Sequence, residues 1–374
     1  MAPNSNKTRV LIVEDSAFMR KVLENIFSAD AQLQVAGHAK DGREAVALAE
    51  SLKPDVITMD INMPHVDGLQ ATAQIMTTNP RPIVVVSSES KEGASSTLKA
   101  LELGAIEFVA KPSGAIDLDM QSVREELLRK VKMASKVRVV RTASRLAATL
   151  QSGAPAPAPV SRPAPAAHLA SAQGDQRFPV VVLAASTGGP ATVMRLAPGF
   201  TKEFPGAVIL VQHMPASFTR QYAAQLAEFT EIPVKEAENG ETLQPGNFYI
   251  CPGGQHLKVN PLGRIQLDAA TGRINGYLPN IDITMETVAV FAGALSIGAV
   301  LTGMGADGAQ GAKAIKKAGG LVIAQDEATS VIFGMPAEAI KLEVVDQVLG
   351  IDDIYAAIEK RVLALSRASL AGVR

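Results

Sequence analysis

Two parts of the chain alternate short apolar runs with longer amphipathic segments. In the first part the apolar runs are Arg9–Val13, Leu33–Ala39, Asp55–Met59, Ile83–Val86 and Ile106–Val109. Short runs rich in β-branched residues are typical of strands that are covered on both faces. Because helical segments separate them, the pattern predicts a doubly wound, five-stranded parallel sheet with right-handed crossovers.

The segment "SAFMRKVLENIF" shows the helical pattern most clearly. Its apolar residues recur at helical spacing and predict one stripe on a helix surface. It contains Phe18, Met19, Val22, Leu23 and Ile26.

The second part repeats the alternation with the runs "VVVLAA", "AVILVQ", "IGAV" and "LVIAQD". These runs predict a second α/β domain with a mainly parallel sheet. Residues 247–268, "NFYICPGGQHLKVNPLGRIQLD", instead alternate apolar and polar residues around glycine-containing turns. That pattern predicts a β-hairpin insert.

Residues 153–174 consist almost entirely of alanine, proline and small polar residues. Such a segment buries too little apolar surface to fold, and its prolines favour extended conformations. It predicts a semi-stiff linker. We therefore divide the chain into a first domain at 6–130, a helical extension and linker at 131–175, and a second domain at 176–370.

Composition narrows the classes of protein. A length of 374 residues suits two domains, and a formal net charge of −1 gives no electrostatic footprint for nucleic acid. The single cysteine, Cys251, excludes a disulfide framework and a cysteine-cluster zinc site, and fits a reducing compartment. There is no signal-peptide pattern and no apolar run of about 18 residues, so we expect a cytoplasmic protein that is not inserted in a membrane.

Charged and polar residues follow the strands of the first domain. Glu14 and Asp15, Asp60, Ser87 and Lys111 come after four of the five predicted strands. Carboxyl ends of parallel strands meet at one edge of a sheet, so these side chains converge. Clustered carboxylates suit Mg²⁺, and a nearby hydroxyl and ammonium suit a phosphoryl group. The alternative is that the acidic pair only caps the following helix.

The first domain resembles the receiver domain of bacterial response regulators. The resemblance lies in "LIVEDS", "ITMDINMPHVDG" and "EFVAKP". It implies a phosphorylated aspartate, a histidine kinase as phosphodonor and Mg²⁺ as cofactor. By motif, Asp60 takes the phosphate, Glu14, Asp15, Asp60 and the carbonyl of Asn62 hold the metal, Ser87 and Lys111 bind phosphoryl oxygens, and Phe108 is the switch aromatic.

A serine, a histidine and an aspartate, which together suit nucleophilic catalysis, follow strands of the second domain. Ser186 follows "VVVLAA", His213 follows "AVILVQ", and Asp307 lies in "TGMGADG" after "IGAV". A serine becomes nucleophilic when a histidine removes its proton, and a carboxylate orients that histidine. The N–H of Thr187, beside a helix start, and that of Met304, in a glycine turn, could form an oxyanion hole.

Other readings of these residues stay open from the sequence. Ser186 could cap the next helix, and Asp307 could cap the helix "DGAQGAKAIKKAG". His256, in the hairpin insert, is the other histidine available as a base. Asp282 is expected to cap the helix "ITMETVAVFAGAL".

A different function class also fits one motif. Gly303, Gly305 and Gly308 spell G-x-G-x-x-G between a predicted strand and helix, and Asp326 ends the next strand. This is the dinucleotide-binding fingerprint, so an oxidoreductase is the alternative. Against it, Asp307 would repel a pyrophosphate in that loop, and the fingerprint usually opens its domain.

The second domain resembles the catalytic domain of the chemotaxis protein-glutamate methylesterase family. The resemblance lies in "AASTGGP", "VQHMPASFT", "LTGMGADGAQG" and "AQDEATSVIFGMP", although Ala184 stands where the family commonly has glycine. It implies that chemoreceptors are the substrates, that methanol is released, and that glutamines are also deamidated. It implies no cofactor for the hydrolysis, with Ser186 as nucleophile, His213 as base, Asp307 as orienter and Met304 in the oxyanion hole.

A switch domain joined to an enzyme domain also suggests regulation. We expect the unphosphorylated first domain to cover Ser186 and phosphorylation to release it, as a shift between closed and open states.

Overall fold

The computed structural model describes residues 7–88, 90–111, 117–137 and 177–371. In the first part, five parallel strands form a sheet in the order β2-β1-β3-β4-β5, which confirms the predicted topology. The strands are β1 (Thr8–Val13), β2 (Leu33–Ala39), β3 (Val56–Met59), β4 (Ile83–Ser87) and β5 (Glu107–Ala110).

Five helices connect or follow these strands. The first four begin after residues whose side chains accept a backbone N–H of the first turn, namely Ser16, Asp41, Asp67 and Ser90. The cap before the first helix is thus Ser16, and the alternative that the acidic pair only caps this helix is wrong. The helices are α1 (Ala17–Ser28), α2 (Gly42–Leu52), α3 (Gly68–Thr78), α4 (Lys91–Glu102) and α5 (Asp117–Ala134).

The apolar face of α1 differs from the expected stripe. Leu23 and Phe27 are buried, whereas Phe18 is 76% exposed. At 3.6 residues per turn, Phe18 lies about 180° around the helix from Phe27. The buried face is therefore centred on Leu23 and Phe27, and the inclusion of Phe18 was wrong.

The second part contains a seven-stranded parallel sheet in the order β14-β13-β12-β6-β7-β9-β8, with a separate antiparallel hairpin, β10 with β11. The mainly parallel domain with a hairpin insert is confirmed, although Phe248–Ile250 joins the large sheet. The strands are β6 (Val180–Ala185), β7 (Ala207–Gln212), β8 (Val234–Glu236), β9 (Phe248–Ile250), β10 (His256–Val259), β11 (Ile265–Asp268), β12 (Ser296–Val300), β13 (Leu321–Gln325) and β14 (Gln347–Leu349).

Helices cover both faces of this sheet. Every residue of β6, β7 and β12 is buried, so the apolar runs of the sequence form the centre of the domain. The helices are α6 (Gly189–Leu196), α7 (Ala216–Leu226), α8 (Ile281–Ala292), α9 (Ala309–Lys317), α10 (Met335–Lys341) and α11 (Ile351–Ala371).

The two parts pack against each other through α4, which contacts α6 and α7. One apolar cluster runs across this boundary and joins Leu98 and Leu101 to Val193 and Phe218. The predicted linker lies outside the described residues, and the domain limits stay a prediction. None of the helices in the described ranges is long and apolar enough to cross a membrane.

Candidate active site and receiver site

The acidic residues of the first part converge as expected. One carboxylate oxygen each from Glu14, Asp15 and Asp60 lies within 4.8 Å of the others. Lys111 Nζ, beyond the end of β5, lies 2.9 Å from Glu14 Oε2 and 2.8 Å from Asp60 Oδ2. Oxygen-only ligands at the carboxyl ends of the strands fit Mg²⁺.

The electrostatics of this pocket also fit a divalent cation. Burial raises the pKa of Glu14 and of Asp60, and the Lys111 ammonium only partly offsets that effect. Burial lowers the pKa of Lys111, but its hydrogen bonds to Asp60 and Glu14 outweigh this and raise it overall. One ammonium therefore faces several partly desolvated carboxylates, and a cation would complete the neutralisation.

The other predicted receiver residues are Asn62, Ser87 and Phe108. The Asn62 N–H lies 3.4 Å from Asp60 Oδ1, and Ser87 Oγ donates to Gly93 O at 3.2 Å. Phe108 is buried, and its ring centroid lies 4.4 Å from that of Phe218 in α7. The roles of Asn62, Ser87 and Phe108 in metal binding and switching stay predictions.

Ser186 lies directly after β6, the strand between β7 and β12. Its N–H donates to Thr302 O at 3.0 Å, and its side chain is partly exposed. Helix α6 begins after Gly188, and no side chain caps it. Ser186 is therefore not the helix cap, and its hydroxyl is available for chemistry.

His213 is the residue after β7. Ala185 and Gln212 are register partners on the adjacent strands, so Ser186 and His213 occupy neighbouring strand ends. His213 Nε2 lies 2.8 Å from Asp307 Oδ2. This contact leaves Nδ1 as the basic nitrogen. Among the residues the structure describes, no hydrogen bond yet joins Nδ1 to Ser186.

Asp307 is fixed by the start of a neighbouring helix, not by its own. Its carboxylate accepts Asn280 Nδ2 at 3.0 Å and the N–H groups of Ile281 and Asp282 at 2.8 and 3.0 Å. These donors belong to the first turn of α8, where the helix dipole favours an anion. The expectation that Asp307 caps α9 is wrong, and the cap residue of that helix is Gly308.

Asp282 makes the reciprocal contact. Its Oδ1 accepts the N–H groups of Gly308 and Gly311 at 2.9 and 2.7 Å, so it binds the start of α9. The expectation that Asp282 caps α8 is also wrong, because Asn280 does so. Burial, followed by the charge of Asp307, raises the pKa of Asp282 to about 6.

His256 lies outside this arrangement. It is fully buried, its Nε2 lies 2.7 Å from Gly272 O, and its Nδ1 accepts Asn280 N–H at 3.0 Å. With both ring nitrogens engaged, His256 supports the loop before α8 and has no free nitrogen for Ser186.

The residue after the serine and a glycine turn close to it carry the two predicted backbone donors. Thr187 follows it, and an ideal Cβ at Gly303 would be only 2.8 Å from Ser186 Cβ. Glycine thus lets the turn that contains Met304 approach Ser186. Within the described ranges the N–H groups of Thr187 and Met304 donate no hydrogen bond, so both are available.

Tyr277 is a site residue that the sequence analysis missed. Its ring stacks on His213, with the ring centroids 4.6 Å apart and the planes 14° from parallel. No motif contains it, because it reaches the site from the loop between the hairpin and α8. Only the path of that loop could have identified it.

The first part of the chain also contacts this site. Thr187 Oγ1 donates to Glu107 Oε2 at 2.9 Å, and the other carboxylate oxygen of Glu107 lies 3.4 Å from Lys130 Nζ. Lys130 Nζ in turn donates to Phe108 O at 2.7 Å. Residues 107 and 108 of β5 thereby touch both the neighbour of Ser186 and α7.

The glycine loop at 303–308 is the predicted dinucleotide-binding fingerprint. Asp307 points to His213 and α8, while Asp326 accepts Thr329 N–H at 2.9 Å in a local turn. A carboxylate anchored inside the G-x-G-x-x-G loop disfavours a pyrophosphate there.

Comparison with known proteins gives both parts a family. Residues 10–124 match the response regulator receiver domain, and residues 181–358 match the CheB methylesterase family. The two together define a response regulator whose output domain is a hydrolase.

Relatives over nearly the whole chain narrow this class. The protein-glutamate methylesterase/protein-glutamine glutaminase of Pyrococcus abyssi is 41% identical over 95% of this chain and 93% of its own length. That of Halalkalibacterium halodurans is 37% identical over 95% and 99%, respectively. The chain belongs to the protein-glutamate methylesterase/protein-glutamine glutaminase family.

Among solved structures, the chain is similar to the CheB methylesterase catalytic domain of Thermotoga maritima. That domain is 39% identical, with a TM-score of 0.47, and the match covers 50% of this chain and 98% of that domain.

Proposed function

We propose that the protein hydrolyses methyl esters of glutamate side chains on chemoreceptors, releasing methanol, by a Ser186–His213–Asp307 mechanism. The observation that carries this proposal is the 2.8 Å contact between His213 and Asp307 at the strand end next to Ser186. Relatives with the name of this activity match nearly the full chain.

The geometry supports an acyl-transfer sequence in two halves. Ser186 Oγ attacks the ester carbonyl while His213 Nδ1 takes its proton, and Asp307 stabilises the resulting imidazolium. The N–H groups of Thr187 and Met304 would bind the carbonyl oxygen as it becomes negative. His213 then gives the proton to the departing methoxide, and water hydrolyses the acyl-enzyme by the same route. The hydrolysis needs no cofactor.

The same groups suit glutamine deamidation. In that case His213 gives its proton to the leaving nitrogen, and ammonia replaces methanol as the first product.

For the first domain we propose phosphorylation of Asp60 by a histidine kinase. Glu14, Asp15, Asp60 and the carbonyl of Asn62 would hold Mg²⁺, which neutralises negative charge on the phosphoryl group. Lys111 already lies 2.8 Å from Asp60, and Ser87 ends the neighbouring strand, so both can bind phosphoryl oxygens.

We further propose that the unphosphorylated first domain holds the esterase closed. Support comes from the Glu107–Thr187 hydrogen bond and from the packing of Phe108 on Phe218, which together join β5 to the region of Ser186. Phosphorylation of Asp60 would shift the population to an open state. A cytoplasmic location stays a prediction.

The test compares wild type with Ser186→Ala in methanol release from methylated receptors. The triad predicts loss of turnover in Ser186→Ala, with phosphorylation on Asp60 unchanged. The dinucleotide alternative predicts NAD binding that depends on Gly305 and an almost unaffected Ser186→Ala. An active Ser186→Ala esterase would falsify the proposed mechanism.

A further inference from the structure

We infer that Tyr277 is a positioning residue for His213, and that its aromatic ring fixes the tilt of the catalytic imidazole and stabilises its protonated form. This inference rests on the proposed role of His213 as the general base. It starts from the stacked contact, with ring centroids 4.6 Å apart and planes 14° from parallel.

The imidazole needs a second restraint because its described hydrogen bond lies in its own plane. The bond from Nε2 to Asp307 at 2.8 Å fixes one edge of the ring. It still allows the ring to tilt about its Cβ–Cγ bond, which would move Nδ1 away from Ser186. A ring packed on the imidazole face opposes this rotation, and the His213 side chain is indeed only 14% exposed.

The far end of Tyr277 lies against a glycine turn. The ideal Cβ of residue 305 would collide with the Tyr277 hydroxyl, so the glycine at that position makes room for it. Gly305 has φ of +92° and follows Met304, whose N–H is a proposed oxyanion donor. Tyr277 thus spans the distance between the base and the oxyanion turn, and packs against both.

The contact also acts on charge. Proton transfer from Ser186 makes His213 a cation, and a cation over an aromatic face is stabilised by the ring quadrupole. Burial, followed by the charge of Asp307, raises the pKa of Tyr277, so the phenol stays neutral while the base works. Tyr277 and Asp307 therefore stabilise the imidazolium from its face and from its edge.

The test uses the full chain with Mg²⁺ and acetyl phosphate, and methanol release from methylated receptors. Tyr277→Leu removes the ring, whereas Tyr277→Phe keeps the ring and removes only the hydroxyl. We expect Tyr277→Leu to lower kcat about tenfold with little change in KM. We expect the acid limb of its pH–rate profile to move to lower pH, because the imidazolium loses a stabilising partner. Tyr277→Phe should restore both properties.

Each outcome decides the inference. A Tyr277→Leu enzyme with wild-type kcat and pH profile overturns it, as does a Tyr277→Phe enzyme as impaired as Tyr277→Leu. A rise in KM alone would assign Tyr277 to substrate binding instead. If Tyr277→Leu does not fold, Tyr277→Gln is the second non-aromatic variant, judged by the same pH profile. Ser186→Ala is measured in parallel, since its activity tests the proposed function separately.

Discussion

Glu107 in β5 accepts a hydrogen bond from the hydroxyl of Thr187, the residue next to the proposed nucleophile. The two residues lie 80 positions apart in sequence and belong to different halves of the molecule. Glu107 is also adjacent to Phe108, whose backbone carbonyl and ring both contact Lys130. A change in the β5 segment would therefore alter a direct contact with the neighbour of Ser186.

Glu107→Ala should raise the esterase rate of the unphosphorylated protein. A hydrogen bond to a charged acceptor contributes about 1.5–3 kcal/mol, so its loss would shift the closed–open balance by about tenfold or more. Lys130 keeps Glu126 as an ion-pair partner and is not left alone. Methanol release is measured with and without phosphorylation, and the phosphorylated rate should match wild type. Glu50→Ala, at an exposed position on α2, is the control and should change neither rate. Equal basal rates in both variants would remove Glu107 from the closure.

Replacement of the proposed triad residues should show strong non-additivity. Ser186→Ala or His213→Gln alone should lower kcat by about 10⁴ or more, and the double variant should be little worse than the poorer single one. Asp307→Asn should cost less, because the base remains. Single-turnover methanol release gives these ratios. Costs that multiply in the double variant would mean that Ser186 and His213 act independently.

The receiver site should depend on its carboxylates in distinct ways. With a labelled phosphodonor and Mg²⁺, wild type should acquire base-labile label, and Asp60→Asn should acquire none. Asp15→Asn should keep the acceptor but require more Mg²⁺, because it removes a charged ligand from the cluster. Labelling is measured across a magnesium titration. Wild-type labelling of Asp60→Asn would show that another residue is the acceptor.

Asp282 should make stability depend on pH. Its pKa is about 6 in the folded protein against an ordinary value of 3.8. Between these values the folded state holds a proton that the unfolded state has released, so stability falls as pH rises through this window. Asp282→Asn keeps an oxygen acceptor for Gly308 and Gly311 but cannot ionise.

Urea unfolding of wild type and Asp282→Asn from pH 4 to pH 7 checks this sign. Relative to the variant, wild type should lose at most about 3 kcal/mol of unfolding free energy across the range. A constant difference, or one that favours wild type at the upper end, would contradict the raised pKa.

Elements with strong local patterns could be predicted from the sequence. The runs before Glu14, Asp60 and Lys111 are short, apolar and β-branched, so they gave both the strands and the edge at which the polar residues meet. The same logic placed Ser186 and His213 on one edge of the second sheet, since parallel strands end together.

Partners across loops could not be predicted in this way. Asp282 and Asp307 each stand before a predicted helix, so the sequence suggests that each caps its own helix. In the structure Asp307 binds the start of α8, and Asp282 binds the start of α9. Tyr277 has no periodic signal, and its contact with His213 depends on a loop path that local propensity does not determine. The inclusion of Phe18 in the apolar stripe was wrong for a geometric reason. On a short helix, stripes on neighbouring faces differ by only one position in the sequence.

The contact of β5 with α7 would also couple the Ser186 site back to the phosphorylation site at Asp60. In the proposed closed state Phe108 packs on Phe218, so a receptor segment that reaches Ser186 would favour separation of these rings, as a phosphoryl group on Asp60 would. Thermodynamic linkage is reciprocal, so each ligand then raises the affinity for the other by the same factor. Receptor binding would thereby favour phosphorylation of Asp60. The extent of phosphorylation would then depend on the amount of bound receptor as well as on the kinase.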